Sequence, residues 1–480
     1  MRLKAYTALL VLSFGALLVH GYHPCAEDAE IYLPGVERIL HPELFPFGAQ
    51  FFQSHAHLTA FPNLIAASAR LTHLPFDLLL LVWQMVSIFL FLLGCYELSG
   101  KCFTDARARW AGVGLLAALL TLPVAGTALY IMDQYVNPRN LNVFATIFAI
   151  VRVLDRKYVQ AGLFLALAAA IHPLMWVYAA SYCVLLVILQ NFEVRFASLG
   201  CLLPLIQPFE APSGAHHEAA PLHSYFYLIR WKWYEWLGAV APLPILWWIG
   251  RVARSKRWLN VDLMCRALVI YGTSYVVAGL ALSIPARFES LGRLQPMRSL
   301  YLLYILMFLI LGGFLGEFVL KDQVWRWVAL FLPLCTVMFV VQRALFPASA
   351  HIEWPGTAPR NPWVQAFLWI RHNTPSDALF ALDPDYTKIA GEDEEGFRAI
   401  AERSMLADVN DSGAVSMFPS LAEEWSKEMQ VRAEWRKFGL NDFQQLKANF
   451  GVNWVVVQQP GVPGLSCPYQ NQVVQVCRLN

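Results

Sequence analysis

Residues 74–98 read LPFDLLLLVWQMVSIFLFLLGCYEL, a run with only Asp77 and Glu97 charged. It is long enough to cross a bilayer, which takes roughly 20 residues. A second apolar stretch, Ala5 to Gly21, precedes it, and between the two stands Glu27-Asp28-Ala29-Glu30-Ile31-Tyr32. Carboxylates placed at a membrane surface must stay hydrated, be paired or serve a site, because the neighbouring hydrocarbon cannot solvate charge. This acidic cluster is therefore the first candidate for chemistry.

The rest of the chain repeats the pattern. Of 480 residues, 57% are hydrophobic, 14% aromatic and 15% charged, and the mean hydropathy is +0.46, which describes a polytopic membrane protein. About eleven apolar spans are expected, centred near residues 13, 85, 120, 147, 166, 182, 203, 243, 274, 309 and 334. Ile171-His172-Pro173-Leu174 breaks what would otherwise be one long helix from Ala161 to Gln190, since proline removes a backbone donor and disfavours helix before it. From about Pro347 the composition turns polar, so a membrane domain over 1–346, with an outer first loop at 22–73, and a soluble domain over 347–480 are expected.

Lys and Arg set the orientation. Arg2, Lys4, Lys101, Arg107, Arg152, Lys157, Arg195 and Arg251 fall on one side of the expected spans, and that side is cytoplasmic by the positive-inside rule. The N-terminus then lies inside and, after eleven spans, the tail lies outside. The first stretch also has the basic start of a signal peptide, with a cleavage point after Gly21, although cleavage would leave the acidic loop outside as well. Retention is favoured, because the next span needs no leader and Pro24 before Cys25 argues against a lipoprotein site.

Most of the nine cysteines fall in apolar spans or an inner loop, where a buried or reduced thiol is expected, while Cys25 would be a single outer thiol. Cys467 and Cys477 flank a turn between short strands: in an oxidising exterior they form a disulfide, otherwise two free thiols in a hairpin. The tail reads as a small α/β unit, with helices over Pro362 to His372, Pro419 to Phe438 and Asp442 to Phe450 and strands over Ala378 to Leu382, Trp454 to Val457 and Gln472 to Leu479. Glu392-Asp393-Glu394-Glu395 reads as a solvated acidic turn. A net charge of +2, without a basic-aromatic stripe outside the membrane, gives no sign of nucleic-acid binding.

A first span, an outer loop carrying Glu27, Asp28 and Tyr32, amphipathic segments at Leu33 to Leu44 and Thr59 to Thr72, a many-span bundle and an outer α/β tail together resemble the C-type (GT-C) glycosyltransferase superfamily, within an uncharacterised bacterial branch that shares the Trp369-Ile370-Arg371-His372-Asn373-Thr374-Pro375 type of approach to the tail. The resemblance implies an inner-membrane enzyme that moves a sugar from a polyprenyl-phosphate donor to a glycan, lipid or protein acceptor on the outer side. Asp28 best matches the position of the general base, with Glu27 as rival, whereas Glu30 faces away. A carboxylate can take that role when its pKa is tuned and it reaches the acceptor hydroxyl.

The leaving phosphate calls for arginine, whose planar fork holds two oxygens. Arg139, Arg293 and Arg298 stand at span ends, where headgroup contact is the plainer role. His172 at its helix break and Tyr32 beside the acids are further substrate-binding candidates. Some members of the superfamily use a divalent cation, but His55 and His57 share one face only in a strand and their segment reads as helix, so no metal is expected there. The aromatic run Tyr225 to Trp236 suits a membrane interface, with stacking on sugar rings as the alternative. Two other classes stay open: a transporter or flippase, which internal repeats and mid-membrane charges would favour, and a non-catalytic envelope-assembly protein, which a fully exposed acidic loop would favour.

Overall fold

The computed structural model describes residues 2–191, 220–283, 292 and 294–479. Among them the fold is mostly helical, with one small sheet near the C-terminus. Among the described residues, seven helices or continuous helical runs are long and apolar enough to cross a membrane: Leu3–His20, Phe76–Cys102, Pro173–Asn191, Trp233–Ser255, Leu259–Ser283, Pro296–Leu320 and Val324–Leu345. The remaining expected spans fare differently. Pro138–Leu154 and Tyr158–Ile171 are helices of 17 and 14 residues. The span expected near 120 is displaced, because its helix, Ala106–Ala118, ends before Pro123, which pairs with Tyr130 in a short bridge. The span expected near 203 lies outside the described residues.

Two compact units are formed. The first draws on Met1–Gly21, Val82–Ala211 and His223–Val341. Its helices pack closely where side chains are absent: a Cβ on Gly112 would stand 2.7 Å from the Leu309 carbonyl, and one on Gly312 would stand 2.7 Å from the Ala111 carbonyl. Such small-residue contacts let two backbones meet where burial from lipid gives no drive. The helix Pro138–Leu154 begins by the rules of its sequence: the Asn137 side chain accepts from Asn140 N at 2.9 Å, and Pro138 occupies the first turn. His172 breaks the helix before Pro173, in extended backbone.

The second unit draws on Tyr22–Leu81, Pro212–Leu222 and Gln342–Asn480. Its sheet has the order β2-β1-β3-β5-β4, with β1 at Leu379–Ala381, β2 at Ser404–Met405, β3 at Trp454–Gln458, β4 at Ser466–Gln470 and β5 at Val474–Arg478. β1 is parallel to β2 and β3, whereas β5 runs antiparallel to β3 and β4. Alternation along the strands supplies two faces. Phe380, Trp454 and Val456 pack with Trp363, Phe367 and Ile370 of the helix Pro362–Asn373, and Val455 and Val457 pack with Phe443 and Leu446 of Leu440–Phe450.

The first loop is built into this unit rather than lying apart as a hydrated linker. Tyr22 bridges to Ile352 and Ala26 to Glu395, Gly396 N donates to Cys25 O at 2.8 Å, and Phe47 N donates to Ser404 Oγ at 3.1 Å. Phe51 is buried with Val415 and Trp425.

Candidate active site

Asp28 is half-buried and is the residue just before the helix Ala29–Leu40, yet its side chain makes no capping bond to that helix. The turn holding it is fixed from two sides. Glu27 takes a left-handed φ of 52°, a conformation uncommon for a side-chain-bearing residue, and its N–H donates to Glu394 O at 2.8 Å. Asp393 and Glu394 opposite are left-handed too, at 66° and 57°. Two strained turns are thus joined backbone to backbone, an arrangement that persists only where surrounding structure over-determines it.

Glu30 does not lie at the water interface. It is 1% exposed, and its carboxylate accepts from Arg398 N at 3.1 Å, Arg398 Nη1 at 3.3 Å and Ala399 N at 3.3 Å. Arg398 in turn holds Asp411 with two bonds, at 3.0 and 2.7 Å. Burial pushes Glu30 up to about 8 against the opposing pull of Arg398. Glu30 is a structural acid beneath the turn, so the Glu27–Asp28 pair alone keeps the catalytic candidacy. Tyr32, also buried, meets Phe61 edge to face at 5.9 Å.

The acidic run Glu392 to Glu395 departs from the expected solvated turn at all but the exposed Glu394. Glu392 and Glu395 are 0% exposed and Asp393 is 7% exposed, where a solvated turn was expected. The Asp393 carboxylate accepts from the backbone N–H groups of Ala348 and Ser349 at 2.8 and 2.7 Å, and Glu392 Oε2 accepts from Glu395 N at 3.1 Å. These carboxylates fold a turn whose backbone donors would otherwise lack partners.

In the helical unit the candidates separate. Arg139 is 3% exposed and paired with Asp133 at 3.0 Å. Asn137 Nδ2 also donates to Asp133, and Gln84 Nε2 and Asn140 Nδ2 donate to the Asp133 carbonyl. Asp133 was not singled out by sequence; a lone acid in the apolar run Leu129 to Val136, six residues before an arginine, was the signal. His172 is 9% exposed, and its carbonyl, like that of Ala168, accepts from Asn142 Nδ2. Arg298 holds its guanidinium over the Tyr225 ring, 5.3 Å from the centroid, and its Nε is buried without a hydrogen-bond partner among the described residues. Arg293 lies outside the described residues.

His55 and His57 do not converge. His55 meets Phe418 edge to face at 6.0 Å, while His57 closes its helix exposed to solvent. A different set of metal-binding side chains does come together: His23, Glu353 and Glu395 place one ligand atom each within 4.8 Å of one another. Cys467 and Cys477, on adjacent antiparallel strands, are joined by a disulfide.

No family model matches the chain, and no curated protein matches it. Among solved structures, the oligosaccharyltransferase of Archaeoglobus fulgidus, determined with a tethered acceptor peptide containing the NVT sequon, aligns over 94% of this chain and 69% of its own, with a TM-score of 0.49 and 13% sequence identity.

Proposed function

We propose that this protein is a membrane glycosyltransferase that moves a sugar from a polyprenyl-phosphate donor to a hydroxyl-bearing acceptor on the outer face of a bacterial cytoplasmic membrane, with its N-terminus inside. The observation that carries the reading is the setting of Asp28: a half-buried carboxylate on a turn held in strained backbone, where Glu27 and the facing Asp393 and Glu394 are all left-handed. In the reaction, Asp28 takes the acceptor proton as the acceptor oxygen attacks the anomeric carbon. The bond from that carbon to the phosphate oxygen breaks, and the polyprenyl phosphate leaves with the electron pair.

The test is sugar release by the purified, reconstituted protein from a panel of radiolabelled polyprenyl-phosphate sugars, with Asp28→Asn and Glu27→Gln alongside. Release by the parent that falls in Asp28→Asn supports both the donor class and the base. Release that is undiminished in both variants removes the acidic turn from the mechanism.

A further inference from the structure

We infer that His23, Glu353 and Glu395 form a site for one divalent transition-metal ion of the zinc or manganese kind. The three side chains come from separate stretches of one unit: the start of the first loop, the segment after the last span, and the 392–395 turn. His23 Nδ1 stands 2.7 Å from Glu353 Oε1, and the Glu353 and Glu395 carboxylates face one another within hydrogen-bond reach. Two carboxylates bring only acceptors when ionised, and a neutral imidazole brings one donor for its two nitrogens. His23 and Glu395 are both 0% exposed, and among the described residues His23 Nε2 and Glu395 Oε2 have no hydrogen-bond partner. Buried acceptors left in this state are costly, and a cation shared by the two carboxylates and one imidazole nitrogen gives each of the three side chains a partner.

The surroundings hold the ligands as metal sites require. The His23 ring stacks on Phe346 at 3.9 Å and 14°. Ser349 Oγ donates to Glu395 Oε1 at 3.2 Å, and Asn361 Nδ2 donates to Ser349 Oγ at 3.2 Å. A cavity of about 130 Å³ lies beside the site on the Glu353 side, its lining including Tyr22, Cys25, Ser349 and Glu353. One imidazole with two carboxylates suits zinc or manganese, whereas magnesium prefers oxygen ligands and its own waters. The bound ion would clasp the three stretches together, and its binding free energy would be added to the folding of that unit.

The experiment uses the full chain in detergent, stripped with chelator and dialysed against micromolar zinc or manganese. Elemental analysis should find one equivalent of metal per chain, and zinc-edge absorption should show nitrogen and oxygen neighbours at about 2.0–2.2 Å. Glu353→Gln and Glu395→Gln should each weaken binding at least about tenfold, while the double variant His55→Gln/His57→Gln keeps the full equivalent. A parent chain that binds neither metal, a sulfur neighbour pointing to Cys25, or undiminished binding in both glutamine variants would overturn the site. Should either glutamine variant fail to fold, the parent's spectrum decides without it.

Discussion

At the scale of single residues, neighbouring acids divide their work by what surrounds them. Asp28 and Glu30 are two positions apart, yet one is half-buried on a strained turn and the other lies under Arg398. If Asp28 is the base proposed above, Asp28→Asn keeps the shape and removes it, so transfer should fall by about 10²- to 10⁴-fold at unchanged melting temperature, read in the release assay with a melting curve beside it. The Arg398 cluster should behave in the opposite way. Removing its cation strands the Asp411 carboxylate, which accepts two of its bonds, in the interior, so Arg398→Leu should cost about 3–5 kcal/mol. Glu30→Gln should cost about 1 kcal/mol or less, because burial already favours the neutral acid. Equal losses in the two variants, measured by denaturant unfolding, would contradict that division. The Glu27–Asp28 pair was legible in the sequence as charge beside an apolar run. The burial of Glu30 was not, because its partner lies 368 residues away. Asp133 carried a signal, a lone acid in an apolar run ahead of Arg139, but its pairing shows only once the side chains that bond it are placed.

At the scale of elements, periodicity and punctuation carried most of the reading. The break at His172-Pro173, the helix Pro362–Asn373 and strands β3 and β5 follow directly from proline chemistry, helical spacing and β-branched runs. The two-residue strand β2 and the five-residue helix Phe397–Ala401 were missed, since elements so short leave no period to read. Close helix contacts were equally silent, because a glycine in an apolar run does not say which backbone it meets. Gly112 and Gly162 make that contrast measurable. A Cβ at Gly112 meets the Leu309 carbonyl at 2.7 Å, whereas one at Gly162 has nothing within 4 Å. Gly112→Val should therefore cost about 1–3 kcal/mol through overpacking. Gly162→Ala should be neutral or stabilising by up to about 1 kcal/mol through helix propensity. Thermal melts in detergent compare the two, and a stable Gly112→Val protein would mean that the helices do not meet there.

At the scale of the whole molecule, the sequence places the acidic loop and the polar tail in separate parts of the chain, and the fold joins them in one unit with many buried acids. Local composition could not reveal this, because each acid looks hydrated until the segment that covers it is known. The consequence is a pH dependence of unusual sign. Burial raises Glu30 from 4.5 to about 8 and Asp408 from 3.8 to about 7. Above about pH 5 an unfolded chain has released both protons, while the folded unit still holds them. Stability changes with pH in proportion to the protons bound unfolded minus those bound folded, and that difference is negative here. The stabilising contribution of these two groups is complete below their unfolded values, declines as pH rises through about 5 to 8, and is gone above that window. Melting temperature should therefore fall across the interval, opposite to a protein whose acids are held ionised by salt bridges. Glu30→Gln should flatten the upper part of the curve, since an amide has no proton to release there. A parent curve that rises with pH, or one that Glu30→Gln leaves unchanged, would show that Arg398 outweighs burial and holds Glu30 ionised in the folded state.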